Sequence, residues 1–221
     1  MKPRAGRRQT GRPKMTSKKT GKVTSASLSS SRKPQPDVQR VLMDIDRAVR
    51  RLGASWFLFG ARAVGIHGAP RTTKDVDVTV LLGERSTDEL VASLKEAGFE
   101  LLHDDEAFVA TTRVIPTRHR ETRMKTDVVL GGPGLEQHIA DQAVHLRLAG
   151  RLLPVIRLEH LIVLKCLAAR PQDIEDLRRL LRRRADVDLD EVRRLISTLE
   201  SDLGDSTIMP NLDRLLAELG R

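Results

Sequence analysis

The stretch that most restricts this chain is KDVDVTVLL, residues 74–82. Its β-branched residues alternate with polar ones, which predicts a strand with Val76 and Val78 turned into a core. Successive strand side chains point to opposite faces, so Asp75 and Asp77 share the other face, about 6–7 Å apart along the strand. Two carboxylates placed this way repel each other unless a cation lies between them. Hard oxygen ligands on one face suit Mg²⁺ or Mn²⁺, held through one or two carboxylates plus substrate phosphates. A third acid, Asp127, leads a second apolar β run, KTDVVL. Three strand-borne carboxylates can hold two metals and run an in-line displacement at phosphorus. A D-x-D pair alone is usually a solvated strand end; its conjunction with Asp127 and with the segment before it points to a site.

That segment is GARAVGIHGAPRTT, residues 60–73. Gly60 stands between a short buried strand, SWFLFG, and a helix expected over Ala61–His67. A glycine there lets the backbone approach a ligand, and the helix N-terminus behind it favours anions. Arg71 and Thr72, directly before the acid pair, read either as phosphate contacts or, for Arg71, as a partner for Asp75. His67 reads as a packing or hydrogen-bonding residue at a helix end.

Along the chain, DVQRVLMDIDRAVRRLG forms an amphipathic helix stopping at Gly53, and STDELVASLKEAG opens on a Ser86/Glu89 capping box. Strands are expected at Phe99–Leu102, Ala107–Ile115 and Met124–Leu130, with PTRHRETR as the loop between the last two. After Gly134 the chain reads as helical, interrupted by a strand pair around VHLRLAGRLLPVI. Then come the helices LEHLIVLKCLAA and QDIEDLRRLLRRR, a helix opening on an Asp188/Glu191 capping box, and a last one ending near Gly220. This order predicts an α+β chain: a basic tail over residues 1–36, a core of mixed sheet and flanking helices over 37–157, and a helical subdomain over 158–221.

Charge is unevenly placed. Residues 1–36 hold eleven Lys and Arg and no Asp or Glu, against a net charge of +9, so residues 37–221 sum to −2. Such a tail is expected to be disordered, serving either as a phosphate-binding arm for RNA or as a solvated extension. The one cysteine, Cys166, excludes an intramolecular disulfide, suits a reducing cytoplasm and reads as inert packing. Six histidines without metal spacing argue against zinc. No apolar run is long enough to cross a membrane. With no Tyr, one Trp and four Phe, extended base stacking is excluded, and nucleic acid would be met mainly through phosphates. Arg113, Arg118, Arg120, Arg123 and Lys125 precede Asp127 and form either an RNA-attracting surface or a solvated charged loop.

The stretch GARAVGIHGAPRTTKDVDVTV resembles the signature of nucleotidyltransferase-fold (polymerase beta-like) proteins of the AbiEii-like toxin group, as does LLPVIRLEHLIVLKCLAARPQDIEDLRRLL. The likeness covers about residues 38–185. It implies a Mg²⁺-dependent enzyme moving a nucleoside monophosphate from an NTP to a hydroxyl acceptor, such as tRNA, with an antitoxin partner. A small-molecule acceptor is the other possibility. By that resemblance Gly60 meets the triphosphate, Asp75 and Asp77 ligate the metal, and Asp127 is a ligand or the base. Lys165 reaches the β/γ-phosphates, and Asp173 or Asp176 orients groups beside it. From the residues alone, Lys165 in its apolar helix either snorkels or points at an anion. Asp176 pairs with Arg179 on the helix surface or faces the site. Ala61 stands where many relatives have Gly or Ser; it keeps the amide but lacks a hydroxyl. A weakly active or inactive nucleotide- or RNA-binding module is therefore the competing expectation.

Overall fold

Each apolar stripe in the sequence finds a partner, beginning with α1 (Pro36–Arg51). A computed structural model describes residues 36–221 except positions 104, 149 and 205; the basic tail lies outside the described residues apart from its last position. After α1 come β1 (Ser55–Leu58), α2 (Gly60–Ile66), β2 (Asp75–Leu81), α3 (Thr87–Glu96) and β3 (Phe99–Leu101). There follow α4 (Glu106–Thr112), β4 (Val114–His119), β5 (Lys125–Leu130), α5 (Leu135–Asp141), β6 (Val144–Leu148) and β7 (Arg151–Val155). Four helices complete the chain: α6 (Leu158–Ala168), α7 (Pro171–Arg183), α8 (Leu189–Leu203) and α9 (Ile208–Glu218).

The strands form one mixed sheet in the order β3-β4-β5-β2-β1-β7-β6. At its centre β2 pairs parallel with β5 and antiparallel with β1. One face buries Val76, Val78, Ile115 and Val128 beneath α1 and α3. His119 on that face bonds Asp44 of α1 at 3.0 Å, and Ser93 of α3 donates to the Ala48 carbonyl at 2.9 Å. The other face carries the acids, because strand alternation leaves no third choice. Helix α6 is buried on nearly every side, packing against α7, α8 and α9, so it reads as apolar throughout rather than as a stripe. The buried apolar residues form a continuous cluster from Val38 to Leu216.

The expectation of a strand over Ala107–Ile115 is corrected: residues 106–112 are helical, and β4 begins at Val114 and runs through the first half of PTRHRETR. The Asp105 carboxylate caps α4 by accepting from the Ala107 and Phe108 amides at 2.9 and 3.2 Å. No residue of α4 is buried, so it offered no periodic apolar signal. Strand β4 was disguised because two of its three inward positions, Thr117 and His119, are polar. Thr117 donates to the Thr126 carbonyl at 2.8 Å and His119 bonds Asp44, which satisfies both inside the core. The Ser86/Glu89 capping box is present in full. At α8 only half of one forms: Asp188 accepts from the Glu191 amide at 2.8 Å, while the Glu191 carboxylate is held by Arg157 at 2.9 and 3.0 Å.

Candidate active site

Parallel pairing sets the core of the site. β2 and β5 register so that Asp77 lies directly beside Asp127 and Asp75 beside Lys125. Asp75, Asp77 and Asp127 thus share one face, as the sequence predicts. They line a cleft of about 870 Å³ whose other wall carries Arg71, Lys165, Arg170 and Asp173.

All three acids are half-buried, and their charges feel one another. Burial pushes the Asp77 carboxyl up, and the Asp127 and Asp75 charges add to the rise. The Ala61 amide, donating to that carboxylate, and Lys165 oppose it. Asp127 is raised by burial and by Asp75, against the pull of Lys125. Five half-buried carboxylates have no ion pair. Among the described residues they are Asp75, Asp77, Asp127, Glu136 and Glu200, and Glu200 accepts from the Ile208 and Met209 amides at 2.8 Å. Three of the five converge on one cleft.

Gly60 is required twice over. Its φ of 63° lies in the left-handed region, and a Cβ there would run into the Asp77 carboxylate. Both Gly60 and Ala61 line the cleft. Ala61 is buried, and its amide is turned to Asp77, the neighbour that resemblance alone did not indicate. Arg62 went unremarked in the sequence, yet it donates to the Asp75 carbonyl at 3.2 Å and the Thr73 carbonyl at 2.9 Å. It thereby fixes the loop that presents the acid pair. The one available signal was a long cation in a helix of small residues, which must reach outward for a partner.

Lys165 points at anions rather than snorkelling. Its Nζ lies 2.8 Å from both Asp173 Oδ1 and Asp176 Oδ2, and all three side chains are buried. Arg71 closes the network on Asp176 at 2.9 Å, so the alternative of an Arg71–Asp75 pair is corrected. The Asp176–Arg179 surface pair is corrected too: Asp176 is 1% exposed, and Arg179 bonds Glu175 instead. Burial alone would raise the Asp173 carboxyl, but hydrogen bonds from Arg170 and Lys165 together hold it below the usual range. Thr72 stands exposed on the cleft rim. His67 bonds the Ile156 carbonyl at 2.8 Å, a structural role, and burial pushes the Cys166 thiol up to about 12, which keeps it unreactive.

This architecture has counterparts of known structure. The solution structure of antibiotic-resistance factor ANT(2'')-Ia superposes with a TM-score of 0.51 and 17% identity, covering 77% of this chain and 95% of that one. The crystal structure of ANT(2'')-Ia with adenylyl-2''-tobramycin gives 0.51 and 18%, over 75% and 99%. An antigenic nucleotidyltransferase-like protein from Paracoccidioides brasiliensis gives 0.51 and 18%, over 84% and 94%. The fold is that of the nucleotidyltransferases. A family model described as "Nucleotidyl transferase of unknown function (DUF2204)" matches residues 130–214, the stretch from the end of β5 into α9. No curated protein matches the chain by sequence. No helix among the described residues is long and apolar enough to cross a membrane.

Whether a metal fits can be judged from the donor set. Among the described residues no group of three or more His, Cys, Asp or Glu side chains is poised to hold an ion unaided. Three unpaired carboxylates, two with raised pKa, nevertheless suit a hard divalent cation that completes its shell with phosphate oxygens.

Proposed function

We propose that this protein transfers a nucleoside monophosphate from an NTP to a hydroxyl acceptor and releases pyrophosphate. The observation that carries the reading is the alignment of Asp75, Asp77 and Asp127, unpaired on one strand face, across a cleft from a cationic wall. Asp75, Asp77 and Asp127 would hold Mg²⁺ or Mn²⁺. When bound, that ion offsets phosphate charge and makes the α-phosphorus more electrophilic. Arg71, Arg170 and Lys165 face the β- and γ-phosphates, with Thr72 at the rim. Asp173 and Asp176 keep the lysine in place, and Gly60 lets the chain pass close to the acids.

In the transfer the acceptor oxygen forms a bond to the α-phosphorus as the bond to the α–β bridging oxygen breaks, and pyrophosphate leaves with that electron pair. The acceptor's proton passes to the carboxylate of Asp127, the third acid of the cleft. The protein's share is positioning and charge complementarity. Ala61 does not argue for an inactive module, because what the site takes from this position is its backbone amide.

For the acceptor, an RNA end such as that of tRNA is supported by the strands beside Asp127. Pro116 faces Asp127 across β4–β5, and Arg118 faces Lys125. Exposed Arg113, Arg120 and Arg123 extend this band. Cations next to the attacking group would steer a phosphate chain. The toxin-like role with an antitoxin partner belongs to this reading, and the basic tail would add to RNA affinity.

The test supplies Mg²⁺, each α-labelled NTP in turn and total RNA to the wild type and to an Asp75→Asn/Asp77→Asn double variant. Label is expected on RNA with the wild type and none with the variant. Label on a small-molecule extract instead would move the acceptor class. Nucleotide binding without transfer to RNA, protein or small molecules would sink the enzymatic reading.

A further inference from the structure

Outside the cleft, the fold brings together two histidines that the sequence keeps far apart. His138 of α5 and His160 of α6 stand with ring centres 5.3 Å apart and ring planes at 86°. His160 is 1% exposed, and among the described residues neither of its ring nitrogens has a hydrogen-bond partner. The other buried histidines are satisfied: His67 bonds the Ile156 carbonyl at 2.8 Å and His119 bonds Asp44 at 3.0 Å. An unpaired buried polar group costs about 1–3 kcal/mol, so a ring kept this way points to a partner that the chain itself does not supply. His138 is exposed, so its ring can turn aside and close again over what enters.

Spacing and charge decide what that partner is. Two imidazoles on one tetrahedral Zn²⁺, with Zn–N of about 2.0–2.1 Å, place their ring centres about 5.2 Å apart. The observed separation of 5.3 Å needs almost no adjustment to meet this. Charge disfavours an anion. Arg157, the cation that acts on His160, is taken up by Glu191 at 2.9 and 3.0 Å and by Glu159 at 3.5 Å. These three groups together leave a negative surplus beside the rings. A buried imidazole stays neutral at pH 7, which keeps a nitrogen lone pair for a cation. Imidazole suits zinc and its neighbours in the transition series, whereas Mg²⁺ takes oxygen ligands.

We propose that His138 and His160 form a second metal site, which takes a zinc-class divalent cation and ties α5 to α6. With two protein ligands, water completes the tetrahedron, so the ion binds reversibly. Both helices line the pocket beside the acids, α5 through Glu136 and α6 through Lys165. Occupancy stiffens that wall without touching Asp75, Asp77 or Asp127.

The test titrates Zn²⁺ calorimetrically, with Mg²⁺ in excess, into the full chain carrying Asp75→Asn and Asp77→Asn, so that the acid cleft does not compete. One Zn²⁺ per chain is expected, with a rise in melting temperature. Adding His138→Ala, at an exposed position, or His160→Phe, which keeps a ring in the buried space, is expected to weaken binding by about tenfold or more and to remove the rise. His103→Ala, at an exposed position just after β3 on the far edge of the sheet, is expected to leave both unchanged. Melting without metal shows which variants are folded, and His138→Ala decides alone if His160→Phe is not. No Zn²⁺ bound by the starting chain, binding that survives a folded His138 or His160 variant, or loss with His103→Ala overturns the site and leaves the two rings as an edge-to-face contact. Each of these results leaves the reading of the acid cleft standing, because its two strand acids are already replaced.

Discussion

At the scale of single residues, the central fact is that Asp77 is held where its charge is unwelcome. Burial, Asp127 and Asp75 all raise its pKa above the ordinary 3.8, and the Ala61 amide does not cancel them. The folded chain therefore keeps a proton that the unfolded chain has lost. Stability falls as pH rises from about 3.8 through the raised value. Replacing Asp77 with Asn removes the charge at nearly constant shape. The apo variant at pH 7 in EDTA is expected to melt a few degrees above the wild type. That gain should vanish at a pH below the ordinary Asp value, where both states of the wild type are protonated. Adding Mg²⁺ should raise the wild-type melting temperature and narrow the gap. Scanning fluorimetry over this pH series checks it; a variant less stable than wild type at pH 7 would mean that the amide and Lys165 outweigh the repulsion. The pair Asp75 and Asp77 was legible in the sequence because strand periodicity places alternate residues on one face. Their pairing with Asp127 was legible only as three acids at two strand starts. The parallel β2–β5 register that sets Asp77 beside Asp127 is a long-range choice no local pattern encodes.

At the scale of elements, legibility followed how strongly each one buries a regular face. The helices α1 and α3 and strands β2 and β5 were readable because their apolar spacing matches one period. Helix α4 buries nothing, and β4 turns Thr117 and His119 inward, so the sequence pattern of the first predicts a strand and that of most of the second a loop. Lys165 on α6 shows the same limit at the site. An apolar helix containing one lysine signals an anionic target, but not that Asp173 and Asp176 from α7 supply it. That contact binds α6 to α7 through one buried cation at 2.8 Å from each acid. Substituting Lys165 with Met keeps the length of the side chain and leaves the two buried carboxylates only Arg170 and Arg71 as partners. Chemical denaturation is expected to show a loss of about 3–5 kcal/mol. Adding Asp173→Asn and Asp176→Asn to the same chain should recover a good part of it, since the neutral amides no longer need the cation. If Lys165→Met alone costs less than 1 kcal/mol, Arg71 and Arg170 suffice to neutralise the pair, and the lysine is held there for its ligand rather than for the fold.

At the scale of the whole molecule, the cleft lies on a seam. The acids come from the sheet, whereas Lys165, Arg170 and Asp173 come from α6, α7 and their junction. Several contacts cross it: Arg71 to Asp176 at 2.9 Å, Arg183 to the Gly68 carbonyl at 2.9 Å and Arg184 to the His67 carbonyl at 3.1 Å. Beneath them the buried apolar cluster runs without a break from α1 to α9. The run of helices after residue 157 predicts a separate helical subdomain, but such a core gives the helices little reason to unfold by themselves. The chain's one tryptophan tests this. Trp56 lies in β1, 4% exposed, and donates to Asp46 of α1 at 3.2 Å, so its fluorescence reports the sheet and its back helix. Far-UV circular dichroism reports the helices, including the four after β7. In a urea titration the two signals are expected to change together with one midpoint, as a single cooperative unit requires. Binding of Mg²⁺-tripolyphosphate should shift both midpoints upward by the same amount, since its ligands lie on the two sides of the seam. A dichroism loss that precedes the Trp56 change would instead show the helices leaving first. The site would then be assembled only when they dock, and nucleotide affinity would fall with the helical signal rather than with the fluorescence.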